Sequence, residues 1–234
     1  MKKTFATCAI LMLLVISWTK QKNSIQSLGN SGEKLMRQSI KRENTAPASI
    51  TIGTQVWTEK NLDVSRYRNG DKIPQVKDPS KWAQLTTGAW CWYNNDSATG
   101  AIYGKLYNWY AVNDPRGLAP EGWHVPSDAE WYVIANFLGT NAKNAGGKMK
   151  ETGTTHWLDP NVNATNSSGF TALGGGYREK NAQFAYINFL GYWWSSTGAG
   201  PNFAFCRRLH SYGGFMDRNT YEKQKGFSVR CVKD

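Results

Sequence analysis

Apolar positions are distributed unevenly along this chain of 234 residues. A short apolar run at 8–16 follows a Met-Lys-Lys start, and residues 21–48 are polar without a sustained period. From residue 49 onward, short segments of alternating polarity are separated by turn residues, a pattern that predicts β-strands. The first run has the length of a signal-peptide core and is too short to span a membrane as a helix. We therefore predict a signal peptide at 1–17, a polar tether at 18–48 and one folded domain at 49–234.

The clearest local signal predicts a helix in the middle of the domain. Ser127 and Glu130 form a capping-box pattern, and apolar residues at helical spacing follow as far as Leu138. The helix is predicted from about Asp128 to Leu138, ending at Gly139 as a left-handed cap. A weaker second helix is predicted at 142–150. Strands are predicted on both sides, at 49–57 as a hairpin and at 170–173, 174–177, 184–187, 191–195, 204–209 and 226–232.

These elements predict an α+β domain whose N-terminal and C-terminal strands lie close together. Large aromatic residues supply much of its apolar content, because 10 of the 11 Trp follow residue 49. Most of them are predicted to be core residues.

The net charge of +11 raises the question of nucleic-acid binding. Eight basic and two acidic residues in 1–48 account for +6 of it, which leaves only +5 on the predicted domain. The domain also carries no basic helical stripe and no nucleic-acid motif. We therefore exclude nucleic acid as a partner.

The cysteines indicate a disulfide in an oxidising compartment. Cys8 leaves with the predicted signal peptide, so Cys91, Cys206 and Cys231 remain. We predict that Cys231 pairs with either Cys206 or Cys91, and the spacing does not distinguish the two. No Cys or His pair has metal-ligand spacing, so no metal site is predicted.

The leader predicts export, to the cell-envelope surface or into the medium. Membrane contact is expected only through the leader or an anchor. Trp18 stands where a lipoprotein signal would carry its lipid-bearing cysteine, and acylation needs that thiol. Lipid anchoring is therefore not expected.

Many motifs in order resemble the Fibrobacter succinogenes major paralogous domain family. They include YGKLYNW at 103–109, PEGWHVPSDAEW at 120–131 and GFSVRCV at 226–232. The remaining matching segments lie at 53–57, 59–62, 93–96, 169–170, 174–178 and 194–197. The resemblance implies an exported, often lipid-anchored protein of a kind common in Fibrobacter and Bacteroidota.

Two of these segments, VPSDAEW at 125–131 and GFSVRCV, also look like the formylglycine-generating, sulfatase-modifying family. That similarity implies a C-type-lectin-like fold with small antiparallel sheets and two short helices. It also implies an oxidase that uses two reactive thiols with copper. Only Cys206 lies in the corresponding neighbourhood, so this activity is a weaker alternative.

Other functional motifs are incomplete. Classical calcium-dependent lectins use a Glu-Pro-Asn or Gln-Pro-Asp loop and a later Trp-Asn-Asp, whereas this chain has Asp159-Pro160-Asn161 and Trp194-Ser195-Ser196. We therefore predict no cofactor, and the classical motifs give no support for calcium. Asp128 and Glu130 are better explained by helix capping than by acid–base catalysis.

The sequence thus predicts an exported, non-catalytic binding or adhesion module for a polysaccharide or an envelope protein. The alternatives are an oxidase of the sulfatase-modifying type using Cys206 and a structural envelope or fimbria-associated protein. Aromatic rings can stack on sugar rings while neighbouring polar groups bind hydroxyls. The predicted ligand-binding residues are Tyr177, Arg178, Tyr192, Trp193, Arg207, Asp217 and Asn219.

Overall fold

The computed structural model describes residues 47–139 and 143–234, and the structural statements below refer to these residues. Contacts between residues place Ala46–Asp234 in one compact unit. The predicted signal peptide and nearly all of the predicted tether lie outside the described residues.

The described chain forms short helices and strands joined by many turns. Its helices are α1 (Pro79–Ala83), α2 (Ser97–Tyr103), α3 (Trp109–Val112), α4 (Asp128–Leu138) and α5 (Ala145–Met149). A single 3₁₀ turn covers Tyr93–Asn95. Its strands are β1 (Ser49–Ile52), β2 (Gln55–Thr58), β3 (Trp90–Cys91), β4 (Leu106–Tyr107), β5 (Trp123–His124), β6 (Gly175–Arg178), β7 (Phe184–Ile187), β8 (Leu190–Gly198), β9 (Phe203–His210), β10 (Asp217–Glu222) and β11 (Val232–Lys233).

The strands form three sheets. One has the order β1-β2-β11-β5, the largest has the order β10-β9-β8-β6-β7, and β3 pairs with β4. The described pairs are antiparallel except β6 with β8. Val232 of β11 lies opposite Trp57 of β2 on one side and His124 of β5 on the other. The predicted α+β class and the predicted closeness of the terminal strands are therefore confirmed.

The central helix has the predicted bounds and the predicted start. Ser127 accepts a hydrogen bond from the Glu130 backbone N–H, and Glu130 accepts one from the Ser127 N–H, so the capping box is complete. The predicted left-handed cap at Gly139 is wrong, because its φ of −175° is extended backbone. The second helix is shorter than predicted and begins only at Ala145.

Three predictions of secondary structure need correction. The described part contains five helices instead of two. Residues 170–173 form no strand, and within 226–232 only Val232 belongs to one. Gly226, Phe227 and Ser228 instead make isolated bridges to three different segments, because this stretch threads between sheets. The sequence also gave no indication of β10, a polar edge strand without an apolar alternation.

Aromatic side chains fill the core, as predicted. Several indole N–H groups inside it donate to backbone carbonyls: Trp131 donates to Trp194 O at 3.3 Å, and Trp194 donates to Tyr107 O at 2.9 Å. These bonds satisfy polar atoms that would be costly to bury unpaired. The indole N–H groups of Trp57 and Trp82 are buried without an acceptor among the described residues. The Trp side chains that are less than 2% exposed are Trp57, Trp82, Trp131, Trp157, Trp193 and Trp194.

The predicted disulfide is not formed. Cys91, Cys206 and Cys231 are all free and buried. Each is packed as a small apolar side chain, with Cys206 and Cys231 in one core cluster and Cys91 in another.

His124 joins the start of helix α4 to the C-terminus. Its Nε2 lies 2.6 Å from Glu130 Oε1, and its Nδ1 lies 2.7 Å from Asp234 Oδ1. Partial burial opposes the charged ring, but the hydrogen bonds to Asp234 and Glu130 outweigh this effect and raise the pKa of His124. The protonated ring therefore binds both carboxylates.

We expect this contact to stabilise the fold in a pH-dependent way. A His whose pKa is raised by folding stabilises the folded state fully at pH values below its unfolded-state pKa of about 6.5. This stabilisation is lost as pH rises through the pKa of the His in the folded state. Urea denaturation of wild type and His124→Gln should differ by about 1 kcal/mol at most near pH 6, since the ring is partly exposed. The difference should shrink toward pH 9. An equal difference across that range would contradict the proposed linkage.

Candidate functional site

Four aromatic side chains lie on the surface at one end of the largest sheet, and three of them are in direct ring contact. Tyr186, Tyr212 and Phe215 are 52%, 50% and 40% exposed, and Phe189 between them is half-buried. The ring centroids of Tyr186 and Phe189 are 5.9 Å apart, and those of Phe189 and Tyr212 are 5.3 Å apart. The buried ring of His210 touches both Tyr212, at 4.6 Å, and Phe215, at 4.9 Å. We call Tyr186, Phe189, Tyr212 and Phe215 the aromatic strip.

One half of the strip is positioned by the tight connection between β7 and β8. Tyr186 and Asn188 have φ values of 62° and 61°, a left-handed conformation that reverses the chain within a few residues. The Phe189 N–H donates to Tyr186 O at 3.1 Å and closes the turn. Beneath the exposed Tyr186 ring, the buried ring of Tyr177 is stacked at 5.8 Å. The buried Tyr177 ring therefore supports the exposed Tyr186 ring.

The other half lies on the turn between β9 and β10. Lys150 is buried, and its ammonium donates to His210 O at 2.7 Å, Gly213 O at 3.0 Å and Val162 O at 2.9 Å. The Gly147 N–H adds a bond to Gly214 O at 2.8 Å. The turn that carries Tyr212 and Phe215 is thus held by hydrogen bonds from Gly147 of α5 and from Lys150, the residue that follows α5.

Polar groups adjoin the strip through His210. The Nε2 atom of His210 lies 2.6 Å from Asp217 Oδ2, and Arg208 Nε donates to the same oxygen at 3.0 Å. Burial would raise the pKa of Asp217, but the bonds from His210 and Arg208 outweigh it and lower that pKa. A partly exposed carboxylate and guanidinium therefore lie beside the rings, where they can bind hydroxyl groups.

Five of the seven predicted ligand-binding residues are buried. Trp193 is 1% exposed, and the rings of Tyr177 and Tyr192 belong to the core. Arg178 lies between the Trp82 and Phe184 rings, and Arg207 binds Asp128 Oδ1 at 2.6 Å. A large ligand does not reach side chains in these positions, so their burial argues against the prediction that these five contact a polysaccharide.

The two remaining predicted residues are half-buried on β10. Asp217 lies next to the aromatic strip, whereas Asn219 pairs with Cys206 of β9, away from it. The sequence-based prediction included none of the four strip residues, because all seven residues that it chose lie in strands β6, β8, β9 and β10. A usable signal was present in the turn Tyr212-Gly213-Gly214-Phe215, where two aromatic residues flank a pair of glycines.

Within residues 47–139 and 143–234, no group of three or more His, Cys, Asp or Glu side chains could hold a metal ion. None of the helices in this part of the chain is long and apolar enough to cross a membrane.

Cys206, the residue of the oxidase alternative, is buried, and burial raises the pKa of its thiol. The thiolate is the reactive form, so this environment disfavours redox chemistry at Cys206.

The structure defines a small, aromatic-rich α+β domain with a ring strip on its surface. Its sequence matches the model of the Fibrobacter succinogenes major domain over residues 50–233, and the chain belongs to that family. No curated protein and no solved structure gives a significant match.

Proposed function

We propose that this protein is an exported cell-surface module that binds polysaccharide, without catalysis, through the aromatic strip. The observation that carries the proposal is the run of surface ring contacts from Tyr186 through Phe189 to Tyr212, to which the buried His210 ring joins Phe215. The predicted signal peptide at 1–17 supports the proposed location at the cell surface. Lipid anchoring is not part of the proposal, because Trp18 lacks the necessary thiol.

Sugar rings suit this surface for two reasons. The C–H face of a pyranose packs on an aromatic face. The Tyr186, Phe189 and Tyr212 rings, 5.9 and 5.3 Å apart in succession, offer several such faces along a glycan chain. Asp217 and Arg208 supply an acceptor and donors for hydroxyl groups at one side. An exposed apolar patch rimmed by polar groups is typical of a binding site rather than of ordinary surface.

The test compares two exposed tyrosines in the full-length chain. Tyr212→Ala should weaken binding to a polysaccharide of the host envelope about tenfold, which corresponds to about 1.4 kcal/mol. A glycan array identifies the ligand, and titration calorimetry measures the affinity. Tyr132→Ala is the matched control, since Tyr132 is 57% exposed on helix α4 and does not belong to the strip.

Both variants should keep the thermal stability of wild type, because each loses only a surface side chain. Equal binding by Tyr212→Ala and Tyr132→Ala would contradict the proposed site. Failure of the wild type to bind any envelope polysaccharide would favour an envelope-protein partner, tested by co-purification. Binding that persists in chelator would support the expected independence from calcium.

We further propose that the α+β fold is C-type-lectin-like. Support comes from the pairing of N-terminal β2 with C-terminal β11, together with the many turns between short strands. A crystal structure that superimposes on that fold, with the same strand order in both larger sheets, would support this assignment. A different strand order would contradict it.

A further inference from the structure

A pocket that has no lining residue in common with the aromatic strip forms a second candidate site. It has a volume of about 260 Å³, somewhat smaller than the roughly 300–1,000 Å³ of typical drug-sized ligand sites. Arg230 and Asn61 line it together with Glu59, Lys60 and Glu151. The pocket therefore brings charges of both signs around a space suited to a small molecule.

Arg230 is a buried cation that no described carboxylate contacts directly, although the charge of Glu59 acts on it from a longer distance. Its guanidinium donates to Asn61 Oδ1, Thr58 O and Thr171 O, and no ion pair to it occurs among the described residues. These bonds use three of its five N–H groups, so two have no described partner. Burial lowers the pKa of Arg230, which reflects the cost of placing this charge in the interior. A carboxylate in the pocket would compensate for that cost.

Asn61 holds this guanidinium in place. Its side-chain oxygen accepts from Arg230 Nε and from Trp193 Nε1, both at 2.9 Å. Its side-chain nitrogen donates to Tyr103 O at 2.8 Å and to Ser228 Oγ at 3.2 Å. Every hydrogen-bonding position of the amide is thereby used. Arg230 is thus preorganised before any ligand arrives.

Two carboxylates lie on the wall of the same pocket. Glu151 is half-buried and binds His156 Nδ1 at 2.8 Å. Glu59 is exposed, and its side chain has no described hydrogen bond or ion pair, which is also true of the neighbouring Lys60. These carboxylates would repel a ligand that is only anionic, and Arg230 would repel one that is only cationic.

An apolar wall completes the site. Ile102 is half-exposed on α2, and Ala101 and Leu173 lie beside it around the pocket. Burying Ile102 under a ligand with a hydrocarbon portion would remove exposed apolar surface from water.

We propose that this pocket binds a small zwitterion with the chemistry of an α-amino acid. The ligand carboxylate pairs with Arg230, the ammonium group faces Glu151 and Glu59, and the aliphatic portion packs on Ile102. The site is separate from the aromatic strip, so this inference does not depend on the proposed polysaccharide binding.

The test titrates each of the twenty common amino acids into the full-length protein, using calorimetry and thermal denaturation. At least one should bind and raise the melting temperature. Its amide, which lacks the carboxylate, and its N-acetyl derivative, which lacks the ammonium group, should each bind at least tenfold more weakly. An N-acetyl derivative or an amide that binds as well as the parent amino acid would overturn the zwitterion assignment.

Two variants locate the site. Glu151→Gln should weaken binding about tenfold, and Ile102→Ser should weaken it several-fold. Val133→Ser is the matched control for Ile102, because Val133 is a similarly exposed aliphatic residue on α4. Tyr212→Ala should leave amino-acid binding unchanged, which separates this site from the aromatic strip. Absence of binding by all twenty amino acids at millimolar concentration, or equal affinity in Glu151→Gln, Ile102→Ser and wild type, would overturn the proposal.

Discussion

Replacing Trp193 with alanine is expected to lower the free energy of unfolding by about 3–5 kcal/mol, the usual cost of removing a large core aromatic side chain. The Trp193 ring is in edge contact with Phe170 at 6.2 Å, and its Nε1 donates to Asn61. The substitution therefore opens a cavity and also removes one of the two donors to the Asn61 side-chain oxygen. Urea denaturation followed by circular dichroism measures the effect.

The matched comparison is Tyr212→Ala, which removes an aromatic side chain of the aromatic strip. We expect Tyr212→Ala to lose polysaccharide affinity at wild-type stability, whereas Trp193→Ala should lose stability first. At temperatures where Trp193→Ala remains folded, its polysaccharide affinity should equal that of wild type. Wild-type stability combined with lost binding in Trp193→Ala would return Trp193 to the ligand-binding surface and contradict the packing seen here.

Short sequence patterns were sufficient to predict the helices and strands that depend on neighbouring residues alone. Helix α4 follows from the capping box of Ser127 and Glu130 and from apolar residues that recur at helical spacing on one face. The β1–β2 hairpin follows from alternation around Gly53, whose φ of 63° suits the turn. Strand β7 has the predicted bounds of 184–187. Each of these signals lies within about a dozen residues of sequence.

The site could not be predicted in the same way, because exposure depends on what covers a strand. Trp193 lies on β8, which pairs with β9 on one side and β6 on the other, and its side chain is packed in the core. Tyr186 is exposed because its backbone adopts a left-handed conformation at the end of β7. The sequence does not distinguish the buried Trp193 from the exposed Tyr186, since both are aromatic residues in strand-like segments.

The burial of two arginines could not be predicted from the sequence either. Arg178 packs against the Trp82 and Phe184 rings. Arg230 packs against the Phe170 ring, and N–H groups of both arginines bind backbone carbonyls of distant segments. An isolated arginine in a sequence is ordinarily expected at the surface. Only the tertiary arrangement supplies the acceptors that allow these two to be buried.

Lys150→Met is expected to destabilise the fold by about 2–5 kcal/mol, because it keeps the size of the side chain but leaves buried carbonyls without their donor. Burial lowers the pKa of Lys150 to about 8, so the ammonium form still predominates at neutral pH and can donate three bonds. Lys148→Met is the matched control, since Lys148 is exposed on α5, two residues before Lys150. Chemical denaturation of both variants at neutral pH measures the difference.

This substitution also tests how the aromatic strip is held. His210 O and Gly213 O flank Tyr212 in sequence, so losing the Lys150 ammonium frees the turn on both sides of that ring. A ring that must be ordered on binding costs conformational entropy that a fixed ring does not. We therefore expect Lys150→Met, under conditions where it is folded, to weaken polysaccharide binding while amino-acid binding in the Arg230 pocket is unchanged. Destabilisation without any loss of polysaccharide affinity would mean that the remaining contacts of the turn, such as Gly147 N–H to Gly214 O, are sufficient to fix Tyr212.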